Sequence, residues 1–197
     1  MELMADTPDK YYDLAIVDPP YGILSKSGDR LDKYGTKHKK WDDSIPTDDY
    51  FKELFRVSKN QIIWGGNYFP YLWINGCKGF VFWYKHQPIK NWAAGELAWT
   101  SFNKPARCFD YMSYGNVNQD FDRFHPTQKP VALYKWLLHN YAKDGDKILD
   151  THLGSGSIAI ACHDYGYDLT ATEIDEDYYN AAVKRYNKHI SQLTLNL

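Results

Sequence analysis

The sequence has few cysteines, no long apolar run and almost no net charge, and each absence excludes a class of protein. Three widely spaced cysteines without a C-x-x-C pair argue against a disulfide framework and against a zinc site. No segment approaches the roughly 20 uncharged apolar residues of a membrane-spanning helix. Residues 1–6 lack the basic and apolar regions of a signal peptide. We expect a cytoplasmic protein that holds no metal and does not enter a membrane.

A chain of 197 residues that is 44% hydrophobic and 17% aromatic can bury a full core, so we expect a single domain over residues 1–197. The net charge of −2 does not by itself predict a nucleic-acid partner. The charges are unevenly placed, however. Residues 22–45 contain six Lys or Arg against four Asp, and residues 78–107 contain five against one acid, Glu96. On charge alone, a solvated surface and a phosphate contact are both compatible with these segments.

Strand-like and helix-like segments alternate along the chain, without repeats or low-complexity linkers. The predicted strands cover residues 13–17, 61–64, 80–84, 96–101, 107–112, 147–150 and 169–172. The predicted helices cover residues 46–58, 130–142, 158–165 and 175–190. Residues 22–45 are a polar segment too long to be a simple connection. The alternation predicts an α/β fold.

The last third of the chain reads as one βαβ unit with glycines at its first strand-to-helix turn. Residues 154–157, Gly-Ser-Gly-Ser, lie where the backbone can approach a ligand and where the helix start offers free N–H groups. Glu173 ends the second strand, where a carboxylate can accept hydrogen bonds from both ribose hydroxyls. The alternative is a turn whose glycines only serve packing. A nicotinamide site fits less well, because only 24 residues follow Glu173 and because Asp150 suits a positively charged ligand better than a pyrophosphate.

A second unusual segment is Asp18-Pro19-Pro20-Tyr21, which directly follows the apolar run 14–17. Prolines fix a turn and leave carbonyl acceptors without adding N–H donors. The corner therefore offers a carboxylate, free carbonyl oxygens and an aromatic ring together. Taken alone, it is more simply explained as a rigid turn that ends a strand.

Four motifs in one order give the sequence a family resemblance. Asp18-Pro19-Pro20-Tyr21, the segment 125–130 (HPTQKP), Asp150 with residues 154–157, and Glu173-x-Asp175 resemble those of the S-adenosylmethionine-dependent amino methyltransferases of DNA. Because the catalytic tetrapeptide comes first and the cofactor glycines last, the order is similar to the beta class. The resemblance implies a Rossmann-like methyltransferase fold with circularly permuted motifs, in which a twisted, mostly parallel sheet carries helices on both faces.

The resemblance also implies roles for individual residues. Asp18 and the carbonyl of Pro19 would accept hydrogen bonds from the two N–H groups of an exocyclic amine, and Tyr21 would stack on a base taken out of the duplex. Pro20 completes this catalytic corner. S-adenosyl-L-methionine would be held by Thr127, Gln128, Lys129, Asp150, His152, Leu153, Gly154, Ser155, Gly156, Ser157, Glu173 and Ile174.

The sequence departs from the family in two places. Residues 151–152 are Thr-His where Pro-Phe is usual, so His152 either stacks near the cofactor or is an ordinary histidine. Members of the class also commonly have a strand before the catalytic one that ends in an adenine-binding carboxylate. Here only 17 residues precede Asp18, so either Asp6 belongs to a shortened version of that strand or the strand is missing.

The resemblance makes double-stranded DNA the expected partner and gives the positive segments a purpose as phosphate contacts. The candidates are Lys37, Lys39, Lys40, Lys90 and Arg107. A short target-recognition region is expected within about residues 85–124, and a homodimer is implied. Because the tetrapeptide begins with Asp, the exocyclic N6 of adenine in DNA is the first choice of acceptor. The alternatives are N4 of cytosine, an RNA substrate and a non-catalytic binding module, with a nicotinamide oxidoreductase as a remote third class.

Overall fold

Apolar residues that follow one another without a polar break produce strands that are buried on both faces. The computed structural model describes residues 1–22, 44–90, 92–112, 124–125 and 127–192. In its first strand, Leu14 and Ile16 point to one core cluster while Ala15 and Val17 point to another. Successive side chains of a strand alternate between the two faces of a sheet. The continuous apolar run therefore predicts helices on both sides, which the structure confirms.

The described residues contain seven strands and five α-helices. The strands are β1 (Tyr12–Val17), β2 (Ser58–Trp64), β3 (Phe80–Tyr84), β4 (Gly95–Thr100), β5 (Arg107–Asp110), β6 (Lys147–Asp150) and β7 (Asp168–Ala171). The helices are α1 (Glu2–Ala5), α2 (Asp48–Val57), α3 (Val131–Tyr141), α4 (Ser157–Tyr165) and α5 (Glu176–Ile190), and two 3₁₀ turns cover Gly66–Tyr68 and Pro70–Trp73.

The seven strands form one sheet in the order β5-β3-β4-β2-β1-β6-β7. Neighbouring strands run parallel except at β4, which is antiparallel to both β2 and β3. The first core cluster packs α3 and α4 against one face of the sheet, and the second packs α2 and the 3₁₀ turns against the other. This is the α/β, Rossmann-like architecture that the motifs predict.

The topology brings distant parts of the chain together at one end of the strands. From β1 the chain moves to β2 on one side, whereas β6 and β7 lie on the other side of β1. Such a reversal of strand order opens a crevice at the carboxyl ends of the parallel strands. Asp18 follows β1 and the glycine turn follows β6, so both lie at this crevice. Since β4 runs antiparallel to β2, its first residues, Gly95 and Glu96, lie at the carboxyl end of β2 and therefore at the same crevice.

The predicted elements are confirmed with bounds that differ by at most three residues, and β3 and β6 match without any shift. The largest difference is in β2, which begins at Ser58 rather than at residue 61. Helix α1 is not predicted by the sequence. Within the described residues no strand precedes β1, and β7 forms the edge of the sheet. Asp6 caps the end of α1, so it does not end a shortened version of the expected strand. Most of the predicted loop 22–45 lies outside the described residues.

Gly156 holds the glycine turn against the last helix. Its φ of +72° is in the left-handed region, and an added Cβ would lie 3.1 Å from the Cβ of Ala182 in α5. Gly145 has a similar φ of +81° but nothing within 4 Å of an added Cβ. The two positions share the backbone strain and differ in packing.

We expect Gly156→Ala to lower the free energy of unfolding by about 2 kcal/mol and Gly145→Ala by about 1 kcal/mol, because only the first adds a close contact to the backbone strain. Urea unfolding followed by circular dichroism measures both values. Equal losses in the two variants would show that the contact with Ala182 relaxes without cost.

Candidate active site

Two cavities meet at the carboxyl ends of β1 and β6. The first, here called the acceptor cavity, has a volume of about 390 Å³ and is lined in part by Tyr21, Gly65, Tyr68, Lys85 and Glu96. The second, here called the glycine-turn cavity, has a volume of about 270 Å³ and is lined in part by His125, Leu153, Gly154, Glu173 and Tyr178. Both are also lined by Asp18, Pro20, Thr127 and Lys129. The acceptor corner, residues 18–21, and the glycine turn, residues 154–157, therefore lie next to each other at this crevice.

Asp18 stands at the junction of the two cavities, and both of its carboxylate oxygens have partners. Lys129 Nζ lies 2.5 Å from Oδ2, and the Tyr21 hydroxyl donates to Oδ1. Burial, followed by the negative charge of Asp18, raises the pKa of Tyr21 well above its ordinary value. The phenol thus stays protonated and remains the donor in this bond. A substrate N–H can reach Oδ1 once the phenol gives up this position.

Glu96 adds a second carboxylate to the acceptor cavity. It pairs with Lys85, the residue after β3, and its Oε2 lies 3.1 Å from Lys129 Nζ. Burial would raise the pKa of Glu96, but the ammonium charges of Lys129 and Lys85 outweigh it and lower that pKa to about 2. Burial likewise opposes the charge of Lys129, but Asp18 and Glu96 outweigh it and raise the Lys129 pKa. Glu96 and Lys129 are therefore both charged at neutral pH.

The Tyr21 ring is seated by a glycine and a second aromatic ring. A Cβ on Gly65 would lie 2.1 Å from Tyr21 Cε1, so only glycine leaves room for the ring. Tyr68 stacks on Tyr21 with centroids 5.1 Å apart and an interplanar angle of 15°. The acceptor cavity therefore has an aromatic wall next to its carboxylates.

In the glycine-turn cavity, a carboxylate is fixed beside the turn. Glu173 Oε2 accepts the N–H of Gly154 at 2.8 Å, and Oε1 accepts the N–H of Asp175 at 3.0 Å. These bonds hold the carboxylate in place while its remaining lone pairs can accept further donors. Ile174 is 92% exposed and also lines the cavity. Glu173 and Ile174 therefore place a polar group next to an apolar surface in this cavity.

Most of the predicted cofactor residues line this cavity. They are Thr127, Gln128, Lys129, His152, Leu153, Gly154, Ser155, Glu173 and Ile174. Sequence analysis missed Tyr134 in α3 and Tyr178 in α5, and it did not select His125 from its motif. The His125 ring packs edge-on against Tyr178 at 4.4 Å between centroids. The helical spacing of the two tyrosines is also that of core residues, so the sequence carried no separate signal for them.

Three predicted cofactor residues support the turn instead of lining the cavity. Gly156 is the N-cap of α4, and the Ser157 hydroxyl donates to the backbone carbonyl of Lys129 at 2.7 Å. Asp150 is buried, and its Oδ1 accepts the N–H of His152 at 2.9 Å. Burial raises the pKa of Asp150 to about 8, and desolvation lowers the pKa of His152 to about 4. His152 is therefore neutral at pH 7, and its ring packs edge-on against Tyr50.

Of the candidate phosphate contacts, Lys90 and Arg107 lie within the described residues. Lys90 is exposed in the β3–β4 connection, three residues before Ala93, which lines the acceptor cavity. Arg107 begins β5, at the end of the sheet opposite to Asp18, and donates to the Asn140 side chain. The structure therefore does not bring Arg107 to the cavities. Lys37, Lys39 and Lys40 lie outside the described residues.

Within the described ranges, every helix is too short or too polar to span a bilayer. In the same ranges, no three His, Cys, Asp or Glu side chains are grouped so that they could hold a metal ion.

We expect Asp150→Asn to stabilise the protein increasingly as the pH rises. The folded-state pKa of about 8 exceeds the ordinary 3.8, so folding retains a proton that the unfolded chain releases, and stability is lost as the pH rises toward 8. Asn keeps the acceptor for the His152 N–H without the charge. The gain in stability over the unsubstituted protein should be larger at pH 8 than at pH 5 by about 3–4 kcal/mol, or roughly 10 °C in Tm. Scanning calorimetry measures both, and a gain independent of pH would contradict the burial argument.

Known proteins share both sequence and fold with this chain. Residues 61–184, more than half of the chain, match the N6/N4 methyltransferase family of DNA methylases. The type II methyltransferase M.HinfI of Haemophilus influenzae is 23% identical over 235 residues, covering 94% of this chain and 66% of its own length. M.HpaI of Haemophilus parainfluenzae is 30% identical over 83 residues, which are 42% of this chain and 26% of that protein. The chain thus spans less than two thirds of the length of these relatives.

Two solved structures show the same fold. The M1.HpyAVI complex with S-adenosylmethionine superposes with a TM-score of 0.61 at 21% identity, covering 94% of this chain and 95% of that one. The cytosine-N4-specific PvuII DNA methyltransferase superposes with a TM-score of 0.65 at 12% identity, covering 94% and 83%. The match to residues 61–184 begins after the Asp18 corner, which the structure places beside the matched region. This chain belongs to the N6/N4 family of DNA methylases.

Proposed function

We propose that the protein transfers a methyl group from S-adenosyl-L-methionine to the exocyclic N6 of adenine in double-stranded DNA. The observation that carries this proposal is the junction of the two cavities at Asp18. A carboxylate that lines both cavities can hold an amine in one of them against a reactive group in the other. Family membership supports the same reaction class.

The glycine-turn cavity has groups suited to S-adenosyl-L-methionine. The Glu173 carboxylate, fixed by the N–H groups of Gly154 and Asp175, can accept from ribose hydroxyls. The exposed Ile174 gives an apolar surface for the adenine ring. The similar M1.HpyAVI fold was solved with this cofactor. When bound, the cofactor supplies an electrophilic methyl group on a positively charged sulfonium.

The acceptor corner prepares the amine for attack. The lone pair of an exocyclic amine is delocalised into its ring, and hydrogen bonds from its two N–H groups favour localisation on nitrogen. Asp18 Oδ1 and the carbonyl of Pro19 are the acceptors, and Pro20 adds no competing N–H donor. Asp18 holds the amine, while the proton released after methylation passes to solvent. Positioning provides the remaining rate gain, because two reactants held in contact avoid the entropy loss of meeting.

The aromatic wall of the acceptor cavity suits a base turned out of the duplex. Stacking on Tyr21 offsets part of the cost of unstacking, which is a few kcal/mol. Lys90 and the lysines at 37, 39 and 40 are proposed phosphate contacts. Recognition of the DNA sequence is assigned to residues within about 85–124, and a second copy of the chain is proposed to share the duplex.

N4 of cytosine is the second candidate acceptor. The family includes both activities, and the similar PvuII enzyme is cytosine-N4-specific. Both bases present an amine next to a ring nitrogen acceptor, so the corner could hold either. The Asp at the start of the tetrapeptide favours adenine. Identification of the methylated nucleoside separates the two.

Incubation with unmethylated duplex DNA and labelled cofactor, followed by digestion and mass spectrometry, should give N6-methyladenine. Asp18→Ala should lower kcat at least about 100-fold, because the amine loses its carboxylate acceptor. Its affinity for the cofactor, measured by calorimetry, should change less than about threefold, since Glu173 and the glycine turn remain.

Asp13→Asn is the matched control for this substitution. Asp13 also pairs with a lysine, Lys59, but at the opposite end of β1, so its loss should leave kcat within about twofold. N4-methylcytosine as the product would overturn the choice of base. Bound cofactor without methyl transfer to any DNA would favour a binding module.

Tyr21 allows the ring and the hydroxyl to be tested separately. We expect Tyr21→Ala to raise KM for DNA about 10- to 100-fold, because stacking on an aromatic side chain is worth about 1–3 kcal/mol per base. Tyr21→Phe keeps the ring and frees Asp18 Oδ1, so kcat/KM should stay within about threefold. Steady-state kinetics with a short duplex measures both variants, and an equally large loss in Tyr21→Phe would assign the hydroxyl a chemical role.

A further inference from the structure

Four buried or half-buried charges surround the junction of the two cavities, and only two of them belong to the predicted motifs. Asp18 and Lys129 come from the tetrapeptide and from the segment before α3. Glu96 and Lys85 come from the β3–β4 hairpin, where Lys85 follows β3 directly and Glu96 is the second residue of β4. The two positive and two negative charges balance.

Lys129 connects the two pairs. Its ammonium is 2.5 Å from Asp18 Oδ2 and 3.1 Å from Glu96 Oε2, and its side chain is only 2% exposed. The contact with Glu96 lacks the alignment of a hydrogen bond, so it acts through charge. Both carboxylates therefore share one ammonium group.

We propose that Glu96 is a positioning residue of the methyl-transfer site, where it shares the Lys129 ammonium with Asp18 and keeps Asp18 an effective acceptor. The proposal rests on the proposed function for its catalytic consequence. A carboxylate that alone held a desolvated ammonium would be largely neutralised by it, and its oxygens would accept weakly from a substrate N–H. Competition from Glu96 limits this neutralisation.

Glu96 has a second effect on the same group, because burial favours loss of the Lys129 proton and two carboxylates oppose that loss. Charged and titratable groups face Lys129 from the β1 corner, β4, β6, α3 and, through Glu96, the end of β3. They are Asp18, Tyr21, Glu96, Asp150, Tyr134 and Lys85. Of these, only Asp18 and Glu96 form ion pairs with Lys129 in the described residues. Removal of Glu96 leaves one carboxylate to hold the ammonium and gives the cluster a net positive charge.

The position of Glu96 separates this role from cofactor binding. Glu96 lines the acceptor cavity, whereas the residues that line the glycine-turn cavity do not include it. Loss of Glu96 should therefore change the handling of the amine and leave the affinity for S-adenosyl-L-methionine nearly unchanged.

The first experiment needs no catalytic activity. In protein carrying ¹³C-labelled lysine, the Lys129 side-chain signal of the unsubstituted protein should titrate at a higher pH than the signals of exposed lysines. In Glu96→Gln, its titration midpoint should fall by one pH unit or more. The double variant E96Q/K85M keeps the total charge of the cluster and should show the same fall in midpoint. If Glu96→Gln alone does not fold, the titration is measured in this double variant instead. An unchanged midpoint in the folded variants would overturn the proposal.

The second experiment measures catalysis. Glu96→Gln should lower kcat about 10- to 100-fold, with the cofactor Kd within about threefold, and Glu96→Asp should restore at least a tenth of the activity by restoring the charge. Asp164→Asn is the matched control, because Asp164 also lies between two basic groups, Lys135 and His189, at 2.6 and 2.7 Å. It should leave kcat within about twofold.

The outcomes distinguish the proposal from the function on which it rests. If the unsubstituted protein methylates no DNA, the proposed function fails, and the titration alone decides whether Glu96 controls Lys129. If that protein is active and Glu96→Gln retains full kcat, the positioning role fails while the methyltransferase function stands. Equal losses of kcat in Glu96→Gln and Asp164→Asn would also overturn it, since they would indicate a general effect on stability.

Discussion

The site depends on one lysine that is held at both of its ends. The Lys129 ammonium binds Asp18 after β1, while its backbone carbonyl accepts the Ser157 hydroxyl at the start of α4. Arg185 of α5 in turn donates to the same hydroxyl oxygen at 2.9 Å. These bonds connect the Asp18 corner to the glycine turn. The residues that make them, Lys129, Ser157 and Arg185, all follow Asp18 by more than 100 positions in the sequence. Because Lys129 belongs to the short segment before α3, the placement of that helix on the sheet also sets the distance between the two cavities.

A buried ion pair is weak support for stability, because desolvation of the two charges offsets most of their attraction. The cluster around Lys129 is therefore better explained by the chemistry of the crevice. The crevice lies where the strand order reverses, at the carboxyl ends of the parallel strands. Polar side chains at these strand ends are partly buried by their neighbours and lose contact with water, which costs free energy. A balanced set of two carboxylates and two ammonium groups tolerates this loss, because each charge lies next to a charge of opposite sign.

The sequence predicted the elements well because their signals are local. Apolar runs identify β1 and β6, proline and glycine identify the helix starts, and the order of motifs predicts the crevice. Contacts made by tertiary packing carried no such signal. The sequence marks Glu96 only as the single acid in a basic segment. It suggests Arg107 as a phosphate contact, whereas the structure places Arg107 at the start of β5, away from Asp18 and beside Asn140. Charge in a sequence does not reveal which end of a strand it occupies, since that depends on whether the strand runs with or against its neighbours.

The occupied oxygens of Asp18 bear on how substrate enters the site. In the proposed reaction, an amine N–H must take the place of the Tyr21 O–H on Oδ1, and this exchange replaces one hydrogen bond by another. The exchange therefore requires little free energy in itself. It also releases the Tyr21 ring, which packs against the backbone of Gly65 and stacks on Tyr68. A base that stacks on this aromatic wall would displace the phenol as it arrives. Base stacking and release of the acceptor would then be one event, so the carboxylate becomes available only when an amine is present to use it.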